Sequence, residues 1–214
     1  AQTIKLFKVC VMRHIPIFTF INKMDLEAKD PFELLDDIET VLGIRTCPIN
    51  WPIGSGKRFK GVYDRDTKQV SMFQAVSVGG AKSAAETDYA LEDAALKEAV
   101  GDELYQQLLD EVELLDGASD TFNQELVNKG ELSPVFFGSA LTTFGIETFL
   151  EHFLKMTLSP LPRMSNEGLI DPVEAPFSGF IFKIQANMNK AHHDRIAFMR
   201  ICSGKFDATK DVYH

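Results

Sequence analysis

The sequence predicts an open α/β sheet carrying an α+β insertion, followed by a β-hairpin that opens a second domain. Three observations lead there. First, Ile17-Phe18-Thr19-Phe20-Ile21 and Val135-Phe136-Phe137-Gly138 are short apolar runs bounded by turn signals, as expected of buried parallel strands. Second, each run ends in a polar loop and leads into a helix-period segment, and ligands of open α/β sheets bind at that end of the strands. Third, the sequence between the two units changes texture, and after a Pro-containing linker two long strand candidates face each other across a polar loop.

Element by element, Ile4, Leu6, Phe7, Val9, Cys10 and Val11 repeat at helical spacing as far as Arg13. His14-Ile15-Pro16 ends that helix, because proline disfavours helical backbone in the residue before it. After the first strand come Asn22-Lys23-Met24-Asp25, then Asp30 as an N-cap with Pro31 at the first helical position. That helix runs through Phe32, Leu34, Leu35, Ile38 and Val41 and stops at Gly43. From Cys47 onward, Ile49 to Gly54, Phe59 to Tyr63 and Gln69 to Phe73 look like short strands of a small sheet, with Gly79-Gly80 as a break. Residues 91–115 read as an acidic helical region interrupted near Gly101, and 121–129 as a helix ending at Gly130. The second buried strand and Ser139-Ala140-Leu141 follow, with a helix marked by Ile146, Phe149, Leu150, Phe153 and Leu154. Pro160, Pro162, Ser165 and Asn166 form the linker, and 177–185 and 195–203 form the hairpin. The expected division is 1–158 with an insertion at 48–132, a linker at 159–175, and a second domain from 176 to 214.

Composition narrows the classes of partner. The 214 residues carry 31 acidic and 22 basic side chains, a formal net charge of −9. Such a balance argues against unspecific wrapping of naked nucleic acid but leaves open docking onto a ribonucleoprotein through a local patch. No specific DNA partner is expected. The acid concentrates in the insertion's helices, where Glu111 and Glu113 mark a face suited to a protein partner. Cys10, Cys47 and Cys202 are widely separated and lack metal spacing, which suggests a reducing cytoplasm. No apolar run approaches the ~18 residues a membrane helix needs. The chain opens at Ala1-Gln2-Thr3, without Met, on a helix-like segment, which is read as truncation.

Two motifs carry recognisable chemistry. Asn22-Lys23-Met24-Asp25 fits NKxD. Guanine presents two adjacent donors, its ring N–H and exocyclic amine, and one carboxylate accepts both in a bidentate pair. Asp25 is the candidate for that role. Lys23 would lay its stem along the base, and Asn22 would brace the loop and reach the base edge. A solvated turn rich in Asn, Lys and Asp is the alternative. In Gly138-Ser139-Ala140-Leu141, small residues let backbone N–H groups approach the guanine O6 acceptor, although such tripeptides are also common strand ends. Each at the end of a buried strand, the two motifs reinforce one another.

Other segments are read as non-catalytic. Gly54-Ser55-Gly56-Lys57 is no phosphate loop, since GxxxxGK[ST] needs Gly where Trp51 stands and Ser or Thr where Arg58 stands. It is expected to be a turn in the inserted sheet. His192-His193-Asp194 lacks partner ligands at metal spacing, and His14 and His152 belong to no constellation. Lys183, Lys190, Arg195, Arg200 and Lys205 make the hairpin basic, which suits edge protection or a docking edge. No catalytic residue and no metal ligand is assigned.

NKMD, then Ile49-Asn50-Trp51-Pro52-Ile53-Gly54 with Phe59-Lys60-Gly61-Val62-Tyr63, then Pro134 to Leu141, resemble the elongation factor G group of translational GTPases. Phe180 to Met188 and His193 to Phe206, together with Trp51 and Gly117-Ala118-Ser119, resemble the class II peptide chain release factors within that group. Asn189-Lys190 departs from their usual pattern at an exposed turn. The resemblance covers essentially the whole chain. It implies the later part of a P-loop-type GTPase domain, an inserted subdomain and the start of a β-barrel. It also implies a cytoplasmic parent that binds GTP or GDP with Mg²⁺, meets the ribosome and class I release factors, and hydrolyses GTP at translation termination. Asn22, Lys23, Asp25, Ser139, Ala140 and Leu141 would then read guanine. The phosphate loop, the Mg²⁺-binding switch and DxxG are absent from the sequence, so the chain alone is expected to be inactive and to hold no nucleotide tightly. Elongation factor G itself, a ribosomal-protection GTPase and a non-catalytic interaction module are the competing readings.

Overall fold

The computed structural model describes residues 2–78, 81–166, 168–186 and 195–213. It forms two compact units, Ala1–Thr157 and Leu158–His214. Gly79-Gly80, Lys190 and His192-His193-Asp194, singled out in the sequence, lie outside the described residues.

The first unit begins with α1 (Gln2–Met12), β1 (Thr19–Ile21), α2 (Pro31–Leu42) and β2 (Arg45–Pro48). Asp30 caps α2 through a 2.8 Å bond from the Phe32 N–H, and Gly43 closes it in the left-handed conformation at φ 69°. Glu39 ties α2 to β2 by accepting from the Thr46 N–H at 2.7 Å and from its hydroxyl at 2.6 Å. The chain then builds an antiparallel sheet from β3 (Asn50–Ile53), β4 (Gly61–Asp64), β5 (Gln69–Val78) and β6 (Ala81–Ala90). Three helices follow, α3 (Ala94–Val100), α4 (Asp102–Ala118) and α5 (Gln124–Lys129). Only after them does β7 (Leu132–Phe137) return, ahead of α6 (Ile146–Met156).

The position of β7 organises the unit. It lies parallel between β1 and β2, pairing Thr19 with Val135 on one side and Pro48 with Val135 on the other. Every residue of β7 is buried, as a central parallel strand requires. The order β1-β7-β2 sets the C-terminal ends of β1 and β7 side by side, although more than a hundred residues separate them in sequence.

One apolar core runs from this sheet into the insertion. Met24, Leu35, Val135 and Phe137 pack in the same cluster as Trp51, Val62, Val70, Leu96, Leu108 and Leu115. Trp51 sits edge-on to Phe137, with ring centroids 5.3 Å apart, and 4.5 Å from Phe32. A second cluster holds Cys47, Ile49, Val127, Leu132, Phe136 and Met156.

Two strand pairs differ from the sequence expectation. Residues 81–90, rich in Ala, Lys, Ser and Glu, have weak strand propensity, yet they form β6 in register with β5 from Gln69↔Ala90 to Val78↔Ala81. Backbone pairing with a neighbouring strand outweighs propensity there. The stretch read as an irregular linker contains a short antiparallel ladder of β8 (Arg163–Ser165) and β9 (Gly168–Ile170).

In the second unit, β10 (Ser178–Ala186) pairs antiparallel with β11 (Arg195–Ser203), with register shifts at Ser178/Gly179 and Ile181/Lys183. Phe180, Ile181, Phe182 and Ile184 are exposed, as on a two-stranded ribbon too small to bury both faces. The Lys183 ammonium lies 5.6 Å from the Phe198 ring centre.

Candidate functional site

The two sequence motifs leave the sheet at adjacent strand ends and are bonded to each other. Gly138 N–H donates to Ile21 O at 3.0 Å, and Met24 N–H returns a bond to Gly138 O at 3.1 Å. Gly138 is required at this crossing, because a Cβ would lie 2.5 Å from Phe144 O and 2.8 Å from the Phe20 ring. Asn22 Oδ1 accepts from its neighbour Lys23 N–H at 2.8 Å and from Ala140 N–H at 2.9 Å, spanning 118 residues of sequence. Lys23 adopts φ 71°, a left-handed conformation in which the loop turns over the strand end.

Burial separates anchors from contact groups. Met24 is fully buried and pins the first loop into the core, while Asn22 and Lys23 are exposed. Asp25 is half-buried, and its Oδ1 is screened from solvent with no hydrogen-bond partner among the described residues. A carboxylate oxygen held in that state leaves acceptor capacity unfilled, which costs free energy unless a donor arrives. Adjacent guanine donors fit such a group. In the second loop, Ser139 is fully buried and donates its N–H to Phe144 O at 2.9 Å, while Ala140 and Leu141 are exposed. The structure thus brings Asn22, Lys23, Asp25, Ser139, Ala140 and Leu141 to the same edge of the sheet.

Residues of the insertion that were not expected near this site support it from below. Gly56 N–H donates to Met24 O at 2.8 Å, so the Gly54-Ser55-Gly56-Lys57 segment buttresses the first loop. That segment forms a 3-10 turn, Gly56–Arg58, rather than a helix-opening phosphate loop. Asn50, fully buried, makes two bonds to Phe137: its Nδ2 donates to Phe137 O at 3.1 Å, and its Oδ1 accepts from Phe137 N–H at 2.7 Å. The signal available for Asn50 is a lone amide in the apolar run from Ile49 to Ile53.

His152 also proves to have a partner, contrary to its reading as an isolated residue. Its Nε2 lies 2.5 Å from Asp64 Oδ2, and both residues are buried. Burial opposes ionisation of Asp64, yet the His152 bond and the N–H groups of Thr67 and Asp66 outweigh it, leaving the carboxyl below its ordinary value. His152 borders a cavity of about 420 Å³ lined also by Ile49, Arg65, Phe122, Lys155 and Met156, none of them from the two loops. Cys47 lines it too, and burial pushes its thiol up to about 11, which makes it inert at neutral pH.

The model of the elongation factor Tu GTP-binding domain matches residues 1–159. The chain belongs to the elongation factor Tu GTP-binding domain family. Beyond this domain, the model of elongation factor G domain 2 matches residues 176–214. The GTP-binding domain's sheet, its insertion and the hairpin that follows agree with the architecture expected from the sequence. Over its whole length the chain is similar to proteins named peptide chain release factor 3. It is 55% identical to that of Symbiobacterium thermophilum over 213 residues, covering 40% of the relative. It is 49% identical to that of Synechocystis and 52% identical to that of Synechococcus elongatus, covering 39% and 38% of them. The chain therefore spans about two fifths of the length of these curated relatives. A crystal structure of a Thermus thermophilus protein matches 94% of the chain and 29% of its own, with a TM-score of 0.55 and 20% identity, a likeness of fold. Among the described residues, no helix is long and apolar enough to cross a membrane.

Proposed function

We propose that this chain carries the guanine-reading part of a cytoplasmic, ribosome-associated GTPase. In this reading the whole protein hydrolyses GTP and promotes departure of class I release factors at termination. Asp25 accepts the two guanine donors, Lys23 covers the base, Asn22 holds the loops together, and the Ser139-Ala140-Leu141 backbone meets O6. Residues 48–132 act as an inserted subdomain of the nucleotide domain (1–158), 159–175 connect it onward, and 176–214 open the barrel. Phosphate and Mg²⁺ binding fall to segments other than these 214 residues, which contain no GxxxxGK[ST] run. The unpartnered, buried Asp25 Oδ1 beside the Asn22–Ala140 clasp is the observation that carries the reading. Similarity along the whole of this chain, though over only 40% of the relative, to a protein named peptide chain release factor 3 supports the termination role.

The test is base selectivity at the loops. Chemical-shift titration with guanosine and adenosine should perturb the amides of residues 22–25 and 139–141 with guanosine alone. Asp25→Ala should weaken guanosine binding by about tenfold or more, the scale of hydrogen bonds to a charged group. Equal response to both nucleosides would refute guanine reading and leave the chain an interaction module of the same fold.

A further inference from the structure

We infer that Asn50 of the insertion is a positioning residue for the Ser139-Ala140-Leu141 loop, a role that rests on the guanine-reading function proposed above. The parallel ladder between β2 and β7 pairs Pro48 with Val135, and Ile49 N–H adds a bond to Val135 O at 2.9 Å. There the backbone leaves β7 and turns into β3, whose partner is β4. The β2–β7 ladder ends there, so it does not reach Phe137. The Asn50 side chain takes the missing rung. A carboxamide has the donor and acceptor geometry of a peptide group, and it serves both Phe137 O and Phe137 N–H. Both bonds are buried, so a side chain unable to make them leaves two main-chain groups unpaired away from water.

The location gives this pairing its consequence. Phe137 is the last residue of β7, and Gly138, Ser139 and Ala140 follow directly. Gly138 exchanges bonds with Ile21 and Met24, and Ala140 bonds Asn22, so the end of β7 sets the height and direction of both loops. Gly145, at the far end of the second loop, also lies against the Asn50 amide: a Cβ there would sit 3.9 Å from Nδ2. Among the described residues the hydrogen bonds of the Asn50 side chain go to Phe137, so it acts on the loop through β7. The neighbouring residue, Trp51, packs on Phe137 from the same strand, so β3 holds the end of β7 by both a polar and an apolar contact.

Amide hydrogen exchange on the whole chain tests the inference directly, with Asn50→Leu compared against Val127→Ala, a buried substitution in α5 that belongs to neither loop. Asn50→Leu should speed exchange at Gly138, Ser139 and Ala140 on the order of tenfold more than at Thr46 or Val62, whereas Val127→Ala should not single these amides out. It should also weaken guanosine binding by about fivefold or more at a melting temperature where Val127→Ala leaves it unchanged. If Asn50→Leu does not fold, Asn50→Asp keeps the shape and the acceptor for Phe137 N–H but loses the neutral-pH donor, and should accelerate the same amides. Unchanged exchange at 138–140, or acceleration spread evenly over the molecule, would overturn the positioning role. Failure of the unsubstituted chain to distinguish guanosine from adenosine would instead sink the proposed function, leaving exchange to decide whether Asn50 holds the loop.

Discussion

Asp64 and His152 illustrate how a single buried pair ties distant segments and sets an acid limit on stability. Asp64 ends β4 in the insertion, His152 lies on α6, and 88 residues separate them. The Asp64 carboxyl titrates below its unfolded value of about 3.9. Its contribution is therefore fully present above about pH 4 and is lost as the pH falls through the lower, folded pKa. Melting temperature measured from pH 7 to pH 2 should drop on the acid side, and Asp64→Asn should flatten that limb while lowering stability at neutral pH. A parallel acid limb in the variant would assign the pH dependence to other carboxylates. Sequence alone shows His152 as a lone histidine within the helix marked by Phe149 and Phe153. Its partner lies in a different strand, so no local pattern connects the two.

Helix α4 shows where composition misleads about a surface. Its carboxylates suggest a uniformly solvated docking face, yet Glu111 is structural. Trp51 Nε1–H donates to Glu111 Oε2 at 2.6 Å, and Gln107 Nε2–H donates to Oε1 at 2.7 Å. Glu113, two residues on, is exposed. Glu111→Lys should cost about 1–3 kcal/mol, because the buried indole N–H loses its acceptor. Glu113→Lys should stay within about 0.5 kcal/mol. Thermal or urea melts of the two variants measure the difference, and equal costs would show that the Trp51 bond does not hold α4. Glu113, free of that bond, is the better position from which to probe a partner. The ends of α2 are local features and legible: Asp30 and Gly43 cap it as their residue types predict. Strand β6 is not, because its stability comes from β5 beside it.

The whole chain is predicted to read a base without gripping a nucleotide. Base contacts discriminate, but much of the binding free energy of GTP or GDP comes from its phosphates and Mg²⁺, which need a backbone N–H cradle and a lysine. Calorimetric titration with GDP should give affinity weaker than about micromolar, and phosphate release from GTP with Mg²⁺ should stay at buffer background. Tight binding or turnover would mean that these residues build a phosphate site of a kind the motifs do not reveal. The first unit nevertheless has a substantial core, since the insertion and the parallel sheet bury Trp51, Phe137, Leu108 and Leu115 together.

Local chemistry was enough to place NKMD and Ser139-Ala140-Leu141 at the ends of two parallel strands, because strand periodicity, flanking turns and donor–acceptor matching operate over a few residues. Only β7 is the buried strand expected; β1, at the edge of the sheet, is half-buried. Their meeting was an inference from the pairing of the motifs; the contact itself depends on β7 threading between β1 and β2. The supports beneath the loops, Asn50 on Phe137 and Gly56 on Met24, leave almost no trace in the sequence. A side chain that substitutes for a peptide group can be recognised only when the strand it serves is known. Long-range pairing of buried polar groups is set by how the elements pack, and packing is a property of the folded chain rather than of any segment within it.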